Sequence, residues 1–169
     1  MKCRLILLML LALVSCRAPK IPNHGKGESS GGGTNKFERA LGIPLPAGIN
    51  QNYVAAISEW LGVPYKYGGN SRSGTDCSGL VQSIYLKVFN KVVDHNSLAL
   101  FNKAKSISKG KLLEGDLLFF KINGNKISHV GMHVTDNYFI HASTKKGVVI
   151  SSITEPYYQK TFSGYGTFR

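Results

Sequence analysis

Residues 117–153 read LLFFKINGNKISHVGMHVTDNYFIHASTKKGVVISSI. Runs of β-branched and aromatic residues alternate there with turn residues, namely Asn123-Gly124-Asn125, Thr135-Asp136-Asn137 and Lys145-Lys146-Gly147. The pattern predicts strands over Leu117–Ile122, Lys126–Val134, Tyr138–Thr144 and Val148–Ile153. Connections this short make an antiparallel meander. Upstream the period changes. Leu80, Val81, Ile84, Tyr85, Val88 and Phe89 follow Asp76-Cys77 at three-to-four-residue spacing, which predicts a helix beginning at Cys77 or beside it. An earlier helix is carried by Ile49, Tyr53, Ile57 and Trp60 and stops at Gly62 before Pro64. Between the two, Pro64–Gly74 is rich in Gly and Ser and reads as a loop. Helices first and strands afterwards give an α+β fold, with N-terminal helices packed on an antiparallel sheet, rather than a doubly wound parallel sheet.

The chain upstream of the helices has a different character. Lys2 and Arg4 precede an apolar run from Leu5 to Val14, too short to span a bilayer, so residues 1–15 are read as a secretory signal. Its end, Leu13-Val14-Ser15-Cys16, resembles a bacterial lipobox, which makes Cys16 the expected lipidation site and lipid rather than helix the expected membrane anchor. Residues 16–35 then form a lipidated N-terminus and flexible linker rich in Pro, Gly, Ser and Lys, and residues 36–169 the folded domain. At 169 residues and 43% apolar, the chain holds one such domain and not two. Its three cysteines exclude a disulfide-stapled scaffold and a four-cysteine zinc module. A net charge of +12, about +10 after loss of the signal, favours anionic partners. Export removes nucleic acid from consideration and leaves cell-wall polymer and envelope surfaces. Arg17 rather than Asp follows Cys16, so the expected location in a bacterium with two membranes is the outer membrane, facing the periplasm.

The chemistry concentrates where helix and strands meet. A cysteine at a helix N-terminus has unpaired N–H groups and the helix dipole beside it, which lower a thiol pKa and favour the nucleophilic thiolate. Asp76, Ser78, Gly79 and the preceding Gly-rich loop give Cys77 surroundings that a structural cysteine does not need. Such a nucleophile requires an imidazole base and a group to orient it. His129, His133 and His141 are available. With a three-residue loop at Thr135-Asp136-Asn137, Val134 faces Tyr138, Met132 faces Ile140 and Val130 faces Ala142 on one apolar face. His129 and His141 then become diagonal neighbours on the other face, within reach of a hydrogen bond. A two-residue loop would put the two imidazoles on opposite faces. His133, beyond His141, reads as structural or peripheral, and His24 and His95 read as solvated surface residues. Nothing in the spacing of Cys77, His129 and His141 argues for a metal, and no cofactor is required.

These residues also carry a resemblance. Leu61-Gly62-Val63-Pro64-Tyr65-Lys66-Tyr67-Gly68-Gly69, Asp76-Cys77-Ser78-Gly79, Gly115-Asp116-Leu117, His129-Val130-Gly131 and His141-Ala142-Ser143 together resemble the NlpC/P60 cysteine peptidases, in order and with matching gaps. Ser151, Ser152, Glu155, Pro156 and Tyr157 bring the chain nearest to the small lipoprotein murein endopeptidases of the Spr (MepS) kind. The resemblance implies a circularly permuted papain-like fold and cleavage of peptide stems of bacterial peptidoglycan through a thioester. The bond would be either D-glutamyl-diaminopimelate or the D-alanyl-diaminopimelate crosslink. It further implies Cys77 as nucleophile, His129 as base, His141 as orienting residue, and Tyr65, Ser78 and Asp76 as substrate-binding residues, in a protein expected to be a monomer. The chain departs from the family where Val93-Asp94-His95-Asn96-Ser97 and Leu100 stand in place of a Leu-Pro-Arg segment and a later Gln, and at His133. A wall-binding lipoprotein without catalysis is the alternative of a different class, and intact Cys77, His129 and His141 argue against it. An acyltransferase or amidase on the same fold is the alternative within enzymes.

Overall fold

The computed structural model describes residues 34–169. The signal, Cys16, His24 and nearly all of the tether lie outside the described residues. Helix α1 (Thr34–Leu41) takes in the last two residues assigned to the tether. Leu41 and Ile43 are buried, Phe37 packs against the same core, and Glu38 Oε1 accepts a hydrogen bond from Leu45 N at 2.9 Å. The folded body therefore starts slightly earlier than composition suggests, because Phe37 and Leu41, four residues apart, supply one turn's worth of apolar stripe.

Helix α2 (Gln51–Ser58) is capped by the Asn50 side chain, and its Tyr53, Val54, Ala56 and Ile57 are buried. A small hairpin, β1 (Asn70–Ser71) with β2 (Gly74–Thr75), leads into α3 (Cys77–Phe89), which packs against α2. Three elements follow that alternation of hydrophobicity does not reveal. Helix α4 (Ser97–Lys103), capped by Asn96, is too short to show a stripe; β3 (Lys105–Ile107) is a three-residue edge; and Lys109–Lys111 is a 3₁₀ turn.

The meander is observed as β4 (Leu117–Phe120), β5 (His129–Thr135), β6 (Tyr138–Ser143) and β7 (Gly147–Ser152). After it come α5 (Pro156–Thr161) and β8 (Phe162–Thr167). The last strand returns to pair with both β4 and β3, closing a six-stranded antiparallel sheet of order β3-β8-β4-β5-β6-β7. One face, with Leu117, Phe119, Val130, Met132, Val134, Ile140 and Ala142, joins the helices in the main core. The other buries Leu118, Phe120 and Phe139 beneath Tyr158 of α5.

The hairpin between β5 and β6 corrects one expectation. Thr135 pairs with Tyr138, so the loop is the two-residue Asp136-Asn137, with Asp136 at φ +47°. A two-residue loop alone would have split the imidazoles between faces. A bulge between His133 and Thr135 inserts one unpaired residue and restores the parity, so that Met132 still faces Ile140.

Helix α3 lies so close to the loop before it that only glycine fits at position 79. A Cβ there would meet Gly69 O at 2.0 Å and His95 Nε2 at 2.9 Å. The main contact is backbone and cannot rotate aside. Gly79→Ala is expected to cost about 1–3 kcal/mol by overpacking, read as a lowered Tm in thermal denaturation. An unchanged Tm would mean that the Gly69 loop is free to move away.

Candidate active site

Cys77 is the first residue of α3, and its placement is the work of Asp76. The Asp76 carboxylate accepts from Gly79 N (2.7 Å), capping the helix, from Gly68 N (2.8 Å), and from Ser78 Oγ (3.0 Å). His95 Nε2 lies 2.9 Å from Asp76 Oδ1 and donates to it. Burial raises the carboxyl's pKa, but the bonds from Gly79, Gly68, His95 and Ser78 outweigh it and hold Asp76 below the ordinary carboxylate value. With the third N–H of the helix taken by Asp76, the backbone N–H groups of Cys77 and Ser78, with that of Val130 on β5, remain to favour the thiolate. The same donors could hold a developing oxyanion beside the thiol.

His95 overturns its reading as a solvated residue. Its side chain is 24% exposed, and it fastens the 93–97 segment to the start of α3. Contact is possible because Gly79 has no side chain between them. The signal in the sequence was the departure itself, a histidine in the segment where the resembled family carries an arginine.

The sheet supplies the second half. His129 opens β5 and His141 lies in β6, with His129 Nε2 2.9 Å from His141 Nδ1 and the rings at 88°. Gly131, between them on β5, leaves room for the Phe139 ring; a Cβ there would meet Phe139 Cδ2 at 2.5 Å. Phe139 in turn stacks on His141, with centroids 5.0 Å apart. The far nitrogen of His141 is occupied as well. Tyr158 Oη lies 3.0 Å and Ser151 Oγ 3.2 Å from His141 Nε2. Neither hydroxyl was singled out from sequence as part of the site, because both reach His141 only after β7 and α5 fold over β6.

Cys77, Tyr65, Asn123 and Ser128 line both halves of one cleft. Toward α3 it widens to about 510 Å³ beside Tyr67, Asp76, Ser78 and His95. On the sheet side about 110 Å³ lies beside His129, His141, Tyr157 and Tyr158. Thus Cys77, His129, His141, Tyr65, Ser78 and Asp76 are brought together. Asp76, however, uses its carboxylate within the protein. His133 stands apart, its ring nitrogens 3.2 Å from Leu113 O and 3.3 Å from Asp136 O, where it ties two turns together. Among the described residues no group of three or more His, Cys, Asp or Glu side chains is arranged to hold a metal ion.

The electrostatics differ from the expectation of a depressed thiol. Burial pushes the Cys77 thiol up to about 11, against the lowering effect of the Val130 N–H, with the Asp76 charge raising it further. Burial likewise pushes His129 down to about 4, and His141 well below the ordinary imidazole value, helped there by His129 and Lys146. Desolvation defeats the helix terminus because Cys77 is only 8% exposed. Burial thus works against charge on the thiol and on both imidazoles.

Comparison with known proteins places this geometry in context. The NlpC/P60 family model matches residues 62–167. A probable endopeptidase of Haemophilus influenzae is 44% identical over 131 residues, covering 75% of this chain and 78% of its own length. The murein DD-endopeptidase MepS/murein LD-carboxypeptidase of Escherichia coli K12 is 39% identical over 115 residues, which is 68% of this chain and 61% of that protein. Among solved structures, the NlpC/p60 domain of the peptidoglycan hydrolase SagA is similar, with a TM-score of 0.60 and 25% identity over 69% of this chain and 97% of that one.

A thiol held near 11 titrates late. Alkylation of Cys77 by iodoacetamide is expected to quicken continuously from roughly pH 6 to pH 10, since only the thiolate reacts. A rate that levels off well below pH 8 would establish a thiolate–imidazolium pair instead.

Proposed function

The chain belongs to the NlpC/P60 family, and on that premise we infer that it is a cell-wall cysteine endopeptidase that cuts amide bonds in peptidoglycan stem peptides. The observation that carries the reading is Cys77 at the start of α3 in one cleft with the 2.9 Å His129–His141 pair. The Cys77 sulfur attacks the scissile carbonyl carbon while its proton passes to His129, so that no buried ion pair has to form before bonding begins. The oxyanion is held by the N–H groups at the start of α3. His129 then returns the proton to the leaving amine, and a thioester remains on Cys77. Water, activated by the same imidazole, attacks the thioester and releases the new carboxylate and the thiol. His141 orients His129 and takes up none of the transferred protons.

Tyr65, Ser78 and the Asp76 side of the cleft bind the stem peptide. Tyr65, half-buried beside Cys77, lines the cleft on both sides of the sulfur. Lipidation at Cys16 holds the mature protein at the membrane, on the periplasmic face of the outer membrane, and the linker lets the domain reach the wall. The lipobox-like Leu13-Val14-Ser15-Cys16 and Arg17 support this location.

Cys77→Ala is expected to abolish release of peptide fragments from purified wall while leaving Tm nearly unchanged. His129→Ala should be almost as damaging, since members of a catalytic unit act non-additively. Mass spectrometry of the released fragments identifies the bond cut, and digestion surviving Cys77→Ala would rule out the covalent route. Separately, Cys16→Ala is expected to release a soluble, still-active protein on fractionation. A variant that stays with the membrane would remove the lipid anchor from the account.

A further inference from the structure

His141 makes hydrogen bonds at both ring nitrogens, and the two bonds are linked through the ring. A neutral imidazole carries one N–H, so donating at one nitrogen obliges the other to accept. For His129 to receive the Cys77 proton, its nitrogen toward the thiol must carry a free lone pair, and its proton must sit on Nε2. His129 Nε2–H then donates to His141 Nδ1 across the 2.9 Å contact. That direction fixes the next: His141 must carry its proton on Nε2 and donate it outward.

The acceptors there are Tyr158 Oη at 3.0 Å and Ser151 Oγ at 3.2 Å. Ser151 Oγ also lies 3.5 Å from Tyr158 Oη and donates to it, leaving the tyrosine oxygen as the principal acceptor for His141. Tyr158 is held to this task by its surroundings. It is 8% exposed, and its ring packs edge-on against Phe120 and Phe139. Reversing the direction, with Tyr158 donating to His141 Nε2, would place a proton on His129 facing the thiol and disable the base.

We infer that Tyr158 and Ser151 are positioning residues that fix the Nε2–H tautomer of His141 and, through it, the proton-accepting tautomer of His129. The inference rests on the cysteine peptidase reading above. It extends the site beyond the three residues by a directional line of hydrogen bonds running from His129 through His141 to the start of the last helix. Lys146 is the charged group that acts on His141, and Glu155 and Tyr157 act on Tyr158; none of them accepts from His141 Nε2.

The test removes both oxygens with the rings and backbone kept, in the double variant Tyr158→Phe, Ser151→Ala. Two readouts are taken: the His141 tautomer, from ¹H–¹⁵N correlation of histidine ring signals, and the kcat and KM for a soluble stem peptide. In the parent protein His141 is expected as the Nε2–H form. In the double variant the Nδ1–H form should appear, and kcat should fall by about tenfold or more with KM within about twofold, as for other enzymes with a misassigned imidazole tautomer. An unchanged tautomer, or a changed tautomer with unchanged kcat, overturns the inference. Should the double variant not fold, the single variants decide it: a mixed tautomer with at least about threefold lower kcat in one of them supports the role, and no change in both overturns it. The tautomer is read without turnover, so failure here is distinct from digestion by Cys77→Ala, which would overturn the underlying reading and leave the tautomer as measured.

Discussion

One carboxylate holds the α3 half of the site together. Asp76 accepts from two backbone N–H groups and two side chains, and these partners come from the Gly68 loop, the start of α3 and the 93–97 segment. Each bond alone is worth about 1–3 kcal/mol for a charged acceptor. Their joint effect is positional. They fix the angle at which the chain enters α3, and therefore where Cys77 lies relative to β5. The glycines nearby follow from the same demand: Asp76 can gather these groups only if Gly79 and Gly69 come into backbone contact and His95 can pass over Gly79. Fixing a nucleophile by capping its helix leaves the first two N–H groups of that helix free to serve the chemistry, an economy that a cysteine in mid-helix could not provide.

The sheet half obeys a different constraint, the burial of two imidazoles. A buried cation has no solvation to replace water, so burial pushes His129 and His141 toward the neutral form, and it pushes the Cys77 thiol toward the protonated form for the same reason. With both imidazoles buried, hydrogen-bond direction takes over part of the role that charge plays in a more exposed site. That is why the polar atoms near His141 matter although none of them touches a substrate-facing surface of the nucleophile. It also explains the aromatic packing around the pair: Phe120 beside His129 and Phe139 stacked on His141 limit the rings to one orientation each.

Much of this was legible in the sequence, and the legible part was periodic. The helix that starts at Cys77, four strands of the meander and the shared face of His129 and His141 all follow from spacing and turn residues. What escaped were features that alternation does not encode. Helix α4 and strand β3 are too short to have a period, and β8 interrupts its pattern with Gly164 and Gly166 where it crosses the sheet. The hairpin loop was expected with three residues and has two, yet the parity held because a bulge offset the difference. Tyr158 and the partner of His95 escaped for a further reason: each contact joins segments distant in sequence, and no local pattern announces it, although the departure at His95 marked that position.

The two halves differ in what they can tolerate. On the helix side the requirement is for donors around Asp76, and donors are interchangeable: a backbone N–H, a hydroxyl and an imidazole all serve there, so an imidazole can occupy a place where a guanidinium would also fit. On the sheet side the requirement is for order along a line, in which each group must accept from one neighbour and donate to the next. A substitution there changes every proton position beyond it, even where shape is conserved. The fold meets this by placing the two imidazoles on the interior strands β5 and β6 of the six-stranded sheet and packing Phe120 and Phe139 against them. Tyr67 and the 93–97 segment lie at the rim of the cleft, outside that line, and no proton position along it depends on them.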